Sequence, residues 1–169
     1  MSDRYPRRPP RLAVVFDAHK DAPVYFVSFC TYRRRPWLAR PELHEAFCQF
    51  AHRGWRERQI GVGRYVLMPE HIHLLVCGGA DFALGEWVKL LKQCLGKAIC
   101  ASRKGTPHRG VATPRERLWQ EGFFDRLIRR DEKLADVWEY LCRNPLTAGL
   151  STTPADWPYQ GEIVPVDRA

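Results

Sequence analysis

With 169 residues, the chain fits one domain of common size, long enough to bury a core without disulfide or metal staples. Its formal charge of +8 is carried largely by arginines spread along the chain, which points to a polyanionic partner, nucleic acid first. Six cysteines without a C-x-x-C pair exclude a zinc finger and a disulfide framework, and no apolar run is long enough to span a bilayer.

The N-terminus, Met-Ser-Asp-Arg-Tyr-Pro-Arg-Arg-Pro-Pro-Arg, lacks the apolar core of a secretory signal, so a reducing cytosol is the expected compartment. Residues 1–23 read as a basic N-terminal arm rich in Arg and Pro. Val24 to Thr31 is dense in β-branched and aromatic residues and predicts a first strand, followed at once by the basic run Tyr32-Arg33-Arg34-Arg35. From Pro41 to about Arg58, Leu43, Ala46, Phe47, Phe50, Ala51 and Trp55 recur at three and four, which predicts an amphipathic helix with proline in its first turn.

Ile60 to Met68 reads as a second strand, Met68-Pro69-Glu70 as a bend, and His71 to Cys77 as a third strand, antiparallel to the second because the connection is so short. A second amphipathic helix is predicted from about Leu84 to Ser102, with Lys89, Lys92 and Lys97 on its solvent side. Arg103 to Arg117, with four arginines and two prolines, reads as a mobile basic loop. Leu118 to Arg129 predicts a fourth strand, and Asp131 is placed to cap a last helix reaching roughly Asn144. The tail from Thr152 to Ala169 reads as irregular, with aromatics available to dock on the body.

Strand, helix, strand, strand, helix, strand, helix is the order of the ferredoxin-like split arrangement with one extra C-terminal helix, an α+β class. The domain then occupies residues 24–150, with 151–169 as a C-terminal tail.

Two places carry chemistry. In an extended strand, His71 and His73 share one face and Ile72 takes the other, so two imidazoles stand together as half of a metal site. A pair at this spacing also arises by chance in a chain with six histidines. On the last helix, Tyr140 and Asn144 are four apart and fall on one face, bringing a hydroxyl nucleophile beside a carbonyl oxygen. Asn144-Pro145 is equally readable as a helix stop, since proline pushes the preceding residue away from helical geometry. Tyrosine attack on a DNA phosphodiester, with a divalent ion held by His71, His73 and Asn144, is the chemistry such a set supports.

Three segments together resemble the REP-associated tyrosine transposases, within the IS200/IS605-like single-tyrosine transposases. They are Arg64-Tyr-Val-Leu-Met-Pro-Glu-His-Ile-His-Leu-Leu-Val76, Leu118-Trp-Gln-Glu-Gly-Phe-Phe-Asp-Arg-Leu-Ile-Arg129 and Glu139-Tyr-Leu-Cys-Arg-Asn-Pro-Leu-Thr-Ala-Gly-Leu150. The resemblance implies an HUH endonuclease fold with an antiparallel sheet, His71 and His73 as the paired histidines, Tyr140 as nucleophile and Asn144 as a further metal ligand. It also implies Mg or Mn as cofactor, a 5′-phosphotyrosine intermediate, single-stranded or REP-like hairpin DNA as substrate, a monomer or homodimer, and a nucleoid-associated place in a bacterial cytoplasm. Arg126 stands where related proteins often carry histidine.

Arg33, Arg34, Arg35, Lys89, Lys92, Lys97, Arg129 and Arg130 are the candidate phosphate contacts, each also readable as a solvated surface charge. Tyr32, Trp37 and Trp157 are candidate platforms for unpaired bases. The rival readings are a non-cleaving ferredoxin-like nucleic-acid binding module and a metal-dependent hydrolase that uses water. Of the further acidic ligands a hydrolase needs, the stretch after His73 offers only Asp81 before the next helix.

Overall fold

In the computed structural model the described residues are 22–104, 117–128 and 134–166. Nearly all of the basic arm, residues 105–116 of the basic loop, Arg129, Arg130 and the capping residue Asp131 lie outside them. The elements are β1 (Val24–Cys30), α1 (Pro41–Arg58), β2 (Gly61–Leu67), β3 (His71–Cys77), α2 (Leu84–Lys104), β4 (Phe124–Leu127), α3 (Leu134–Thr147) and β5 (Gln160–Glu162). All sheet pairings are antiparallel, in the order β4-β1-β3-β2-β5. The first four strands thus have the ferredoxin-like order, and the α+β expectation holds.

β3 is the central strand, and its alternation divides the interior into two layers. Ile72, Leu74 and Val76 face α1 and α2, where they pack with Val27, Phe29, Phe47, Leu91 and Leu95. Leu75 faces the other way, into a smaller cluster with Phe26, Val66, Val137 and Leu141, so α3 covers the opposite side of the sheet. α1 forms as its period predicts, with Pro41 in the first turn and Leu43, Phe47 and Ala51 buried. Gln59 ends it in a left-handed conformation, φ 53°, its N–H returned to the Trp55 carbonyl and the next N–H, of Ile60, to the Gly54 carbonyl.

Three expectations are corrected. The fourth strand is only Phe124–Leu127, because Gly122 at φ +70° turns the chain, leaving Trp119 as an isolated bridge to Thr31. The last helix does not stop at Asn144 but continues through Pro145 to Thr147.

The tail is not irregular throughout. It makes a short turn at Pro154–Asp156 and then adds β5 along β2, pairing Arg64 with Glu162 and Val66 with Gln160. Trp157 secures this return: it is 8% exposed, its Nε1 donates to the Leu67 carbonyl at 2.9 Å, and its ring meets Tyr159 edge-on. At Gly63, beside the register shift in β2, a Cβ would collide with Val166, so the tail's close approach requires glycine there.

Among the described residues no helix is long and apolar enough to cross a membrane.

Replacing Trp157 with alanine removes a buried indole and leaves the Leu67 carbonyl without its donor. Urea denaturation of Trp157→Ala is expected to show a loss of about 3–5 kcal/mol, and of Trp157→Phe a smaller loss of about 1–3 kcal/mol.

Candidate active site

β3 places His71 and His73 on one face, as the alternation predicted, and that face is the one covered by α3. His71 pairs in register with Cys30, and His73 with Ser28 on one side and Val66 on the other. The two rings lie 4.6 Å apart between centroids at 79°, and Phe26 stacks on His73 at 5.5 Å. Burial, with the neighbouring His71 charge adding to it, pushes the His73 imidazolium down to about 3. His71 is also held below the ordinary histidine range by burial, against the opposing pull of Glu70. Both rings are therefore neutral at physiological pH, with a lone pair each, the form that binds a metal.

Glu70 was not singled out from the sequence, and it matters here. Its Oε1 lies 3.0 Å from His71 Nδ1. A carboxylate at that nitrogen fixes the proton on Nδ1 and leaves Nε2 as the ligand atom. Glu70 in turn faces Arg34 Nη1 at 3.9 Å.

Arg34 reaches it from a turn, Tyr32–Arg34, in which Arg33 and Arg34 both hold left-handed backbone, φ 55° and 50°. Such a conformation costs a non-glycine residue about 1–2 kcal/mol. Fully buried Thr31 holds the turn in place: its N–H donates to the Glu70 carbonyl at 2.8 Å and its Oγ1 to the Arg35 carbonyl at 2.8 Å.

α3 carries the other two residues. Val137 and Leu141 bury its inner stripe, and Tyr140, at the margin of that stripe, is 63% exposed. Among the described residues no ring contact joins Tyr140 to either histidine. Asn144 has a specific local role. Pro145 lacks the N–H that the Leu141 carbonyl would receive, and Asn144 Nδ2 donates to that carbonyl at 3.0 Å and to the Tyr140 carbonyl at 3.2 Å. Since both acceptors are carbonyls, the amide nitrogen must face the helix, and Oδ1 has no partner among the described residues.

The structure thus sets His71 and His73 side by side and puts Tyr140 and Asn144 on the helix that covers their face. Among the described residues no three of His, Cys, Asp and Glu gather to hold a metal ion. The donor set still fits one: two neutral imidazoles and, among the described residues, a buried His73 Nδ1 with no hydrogen-bond partner and an Asn144 amide oxygen with none either.

The basic residues divide. Arg33 and Arg117 flank the Tyr32 ring at 5.4 and 5.5 Å, while Arg35 and Arg103 flank Trp37 at 5.2 and 5.1 Å. Lys89 and Lys97 are exposed, but Lys92 is not the solvated charge expected. It donates to the Gly122 carbonyl at 2.5 Å and lies over Phe29 at 5.2 Å. Trp157, buried against Leu67, is closed to bases. Phe124 replaces it as an exposed aromatic: 43% exposed, it pairs with Ser28 in the same register row as His73. Its position at the end of a short edge strand gave no sequence signal.

Because the folded state holds His73 below its unfolded value of about 6.5, it binds fewer protons than the unfolded chain. Stability from this group is complete above pH 6.5 and is lost as pH falls toward 3. In metal-free buffer, the melting temperature of the wild type is expected to fall across that window, and more steeply than that of His73→Phe.

The IS200-like transposase profile matches residues 21–144, which include both histidines, Tyr140 and Asn144. A Haemophilus influenzae protein classed with the REP-associated tyrosine transposases is 28% identical over 109 residues, 60% of this chain and 62% of that protein. The chain thus matches less than two thirds of that relative's length. Among solved structures, a REP-associated tyrosine transposase bound to a REP hairpin superposes with a TM-score of 0.61 at 19% identity, covering 89% of this chain and 86% of the other, which supports the fold. With about three quarters of its length inside the profile, the chain belongs to the IS200-like transposase family.

Proposed function

We propose that this chain is a metal-dependent, single-tyrosine transposase that cleaves and rejoins single-stranded or REP-like hairpin DNA through a 5′-phosphotyrosine intermediate. The observation that carries the reading is the pairing of two neutral, adjacent imidazoles on β3 with a covering helix that presents an exposed tyrosine and a free amide oxygen. Support for the substrate comes from the charge of +8 and from the structural neighbour, which is described as bound to a REP hairpin.

In this reading Tyr140 Oη attacks the scissile phosphorus and loses its proton to solvent. The new bond joins tyrosine to the 5′ phosphate, while the bond to O3′ breaks and that oxygen leaves with the electron pair and takes up a proton. One ester replaces another, so the 3′ hydroxyl can later reverse the step without ATP. Mg or Mn, held by His71 Nε2, His73 and Asn144 Oδ1, would grip the scissile phosphate and neutralise the charge that builds on it. Glu70 orients His71, and Arg34 adds a positive charge beside the pair. Such a substrate would keep the protein at the nucleoid.

The test is a labelled hairpin oligonucleotide incubated with Mg or Mn and run on a denaturing gel. Wild type is expected to form an SDS-resistant adduct that EDTA abolishes. Tyr140→Phe should bind the hairpin and form no adduct; an equal adduct from Tyr140→Phe, or none from wild type, overturns the mechanism.

Asn144 separates two roles in the same assay. Asn144→Ala and Asn144→Asp both deprive the Leu141 carbonyl of its donor and should each lower stability by about 1 kcal/mol in urea denaturation. Only Asn144→Asp keeps an oxygen ligand, so it should retain at least tenfold more adduct formation than Asn144→Ala.

A further inference from the structure

A groove of about 710 Å³ runs between α2 and residues 117–123, on the side of the sheet away from the histidine pair. Val88, Gly96 and Cys100 form one wall, and Leu118, Trp119 and Phe123 the other. Gly96 lets the walls close in, since a Cβ there would stand 3.2 Å from Leu118 Cδ1. Trp119 is fixed in advance: its Nε1 donates to the Lys92 carbonyl at 3.0 Å, and its ring meets Phe29 edge-on at 5.4 Å.

The lining holds three lysines, 89, 92 and 97, and no carboxylate. Lys92 points inward to the Gln120 and Gly122 carbonyls, so its charge offsets the two oxygens that would otherwise repel an anion. Among the described residues Lys89 pairs with the exposed Glu86 and Lys97 has no acidic partner. An apolar, aromatic slot with a cationic rim fits a ligand that joins a flat aromatic ring with a polar edge to a phosphate. Gln93, also in the lining, can donate to and accept from the edge of such a ring.

We propose that this groove is a second DNA subsite, holding one unpaired nucleotide of the substrate strand with its base against Trp119 and Phe123 and its phosphates against Lys89 and Lys97. The proposal rests on the DNA-processing reading above and adds a site to it. The groove is connected to the histidine pair: the Tyr32 N–H donates to the Leu118 carbonyl at 2.8 Å, Trp119 bridges Thr31, and Arg34 of the same turn meets Glu70. The arginine-bearing turn therefore joins the groove wall to the bend that holds His71, and on this proposal the strand would run past it.

The experiment uses the whole chain and hairpin oligonucleotides with single-stranded flanks, substituted with 5-iodouracil at one flank position at a time. Irradiation followed by peptide mapping is expected to join one position to Trp119 or Phe123, and the bound flank should protect Cys100 from alkylation. Cys100→Trp, which fills the groove, and Lys97→Glu, an exposed change that leaves packing intact, should each weaken binding of the flanked hairpin about tenfold. Binding of a hairpin without flanks should change less than twofold.

Full affinity in both variants, with crosslinks only on the α3 face, overturns the groove proposal and leaves the transposase reading standing. Protection of Cys100 by an acidic peptide but not by the flanked hairpin overturns it likewise. If wild type binds no hairpin at all, the groove and the reading beneath it fall together.

Discussion

The central strand β3 is covered on both faces, and that one constraint sets the positions of everything else. Ile72, Leu74 and Val76 are each fully buried in the α1/α2 layer, while His71, His73 and Leu75 face α3. Because side chains alternate strictly, a slip of one residue would drive the imidazoles into the larger apolar layer and bring Ile72 to the site. The apolar pattern therefore fixes the register that holds the two histidines together. Packing and chemistry are specified by the same seven residues.

The bend before β3 adds the second level of order. Glu70 reaches forward to His71 and back to Arg34, while its carbonyl receives the Thr31 N–H. Two left-handed arginines are tolerated beside it because hydrogen bonds of about 1 kcal/mol each tie the turn to neighbouring elements, including Leu38 N–H to the Pro69 carbonyl. Strain of this kind persists only where the surroundings over-determine it. Here they fix an arginine and a carboxylate within reach of an imidazole.

Much of this was legible in the sequence, for reasons that differ by element. The start of α1 and both ends of β3 are marked in the sequence, since Pro41 opens a helix and Pro69 and Gly78 bracket a strand of unmixed period. β5 is not, because three residues of weak strand character pair only when Trp157 and Gly63 bring the tail back to β2. Proline misled at the end of α3, where a side-chain amide supplies what the backbone lacks. At the site, the histidine spacing and the Tyr140–Asn144 interval stand in the chain itself. The partners of Glu70, the inward course of Lys92 and the exposure of Phe124 depend on residues far away in sequence, and no local pattern encodes them.

The Asn144–Pro145 step has a consequence for how this site can change. Proline makes residue 144 a required donor, and on the reading proposed above the metal makes it a required acceptor. A carboxylate meets only the second need and an ammonium only the first, whereas a side-chain amide meets both from one short stem. The ring of Pro145, outside the proposed ligand set, thus restricts the chemistry permitted at its neighbour. A lineage that lost this proline would free position 144 to become acidic, and the ion preference of the site could then drift toward harder, oxygen-rich coordination.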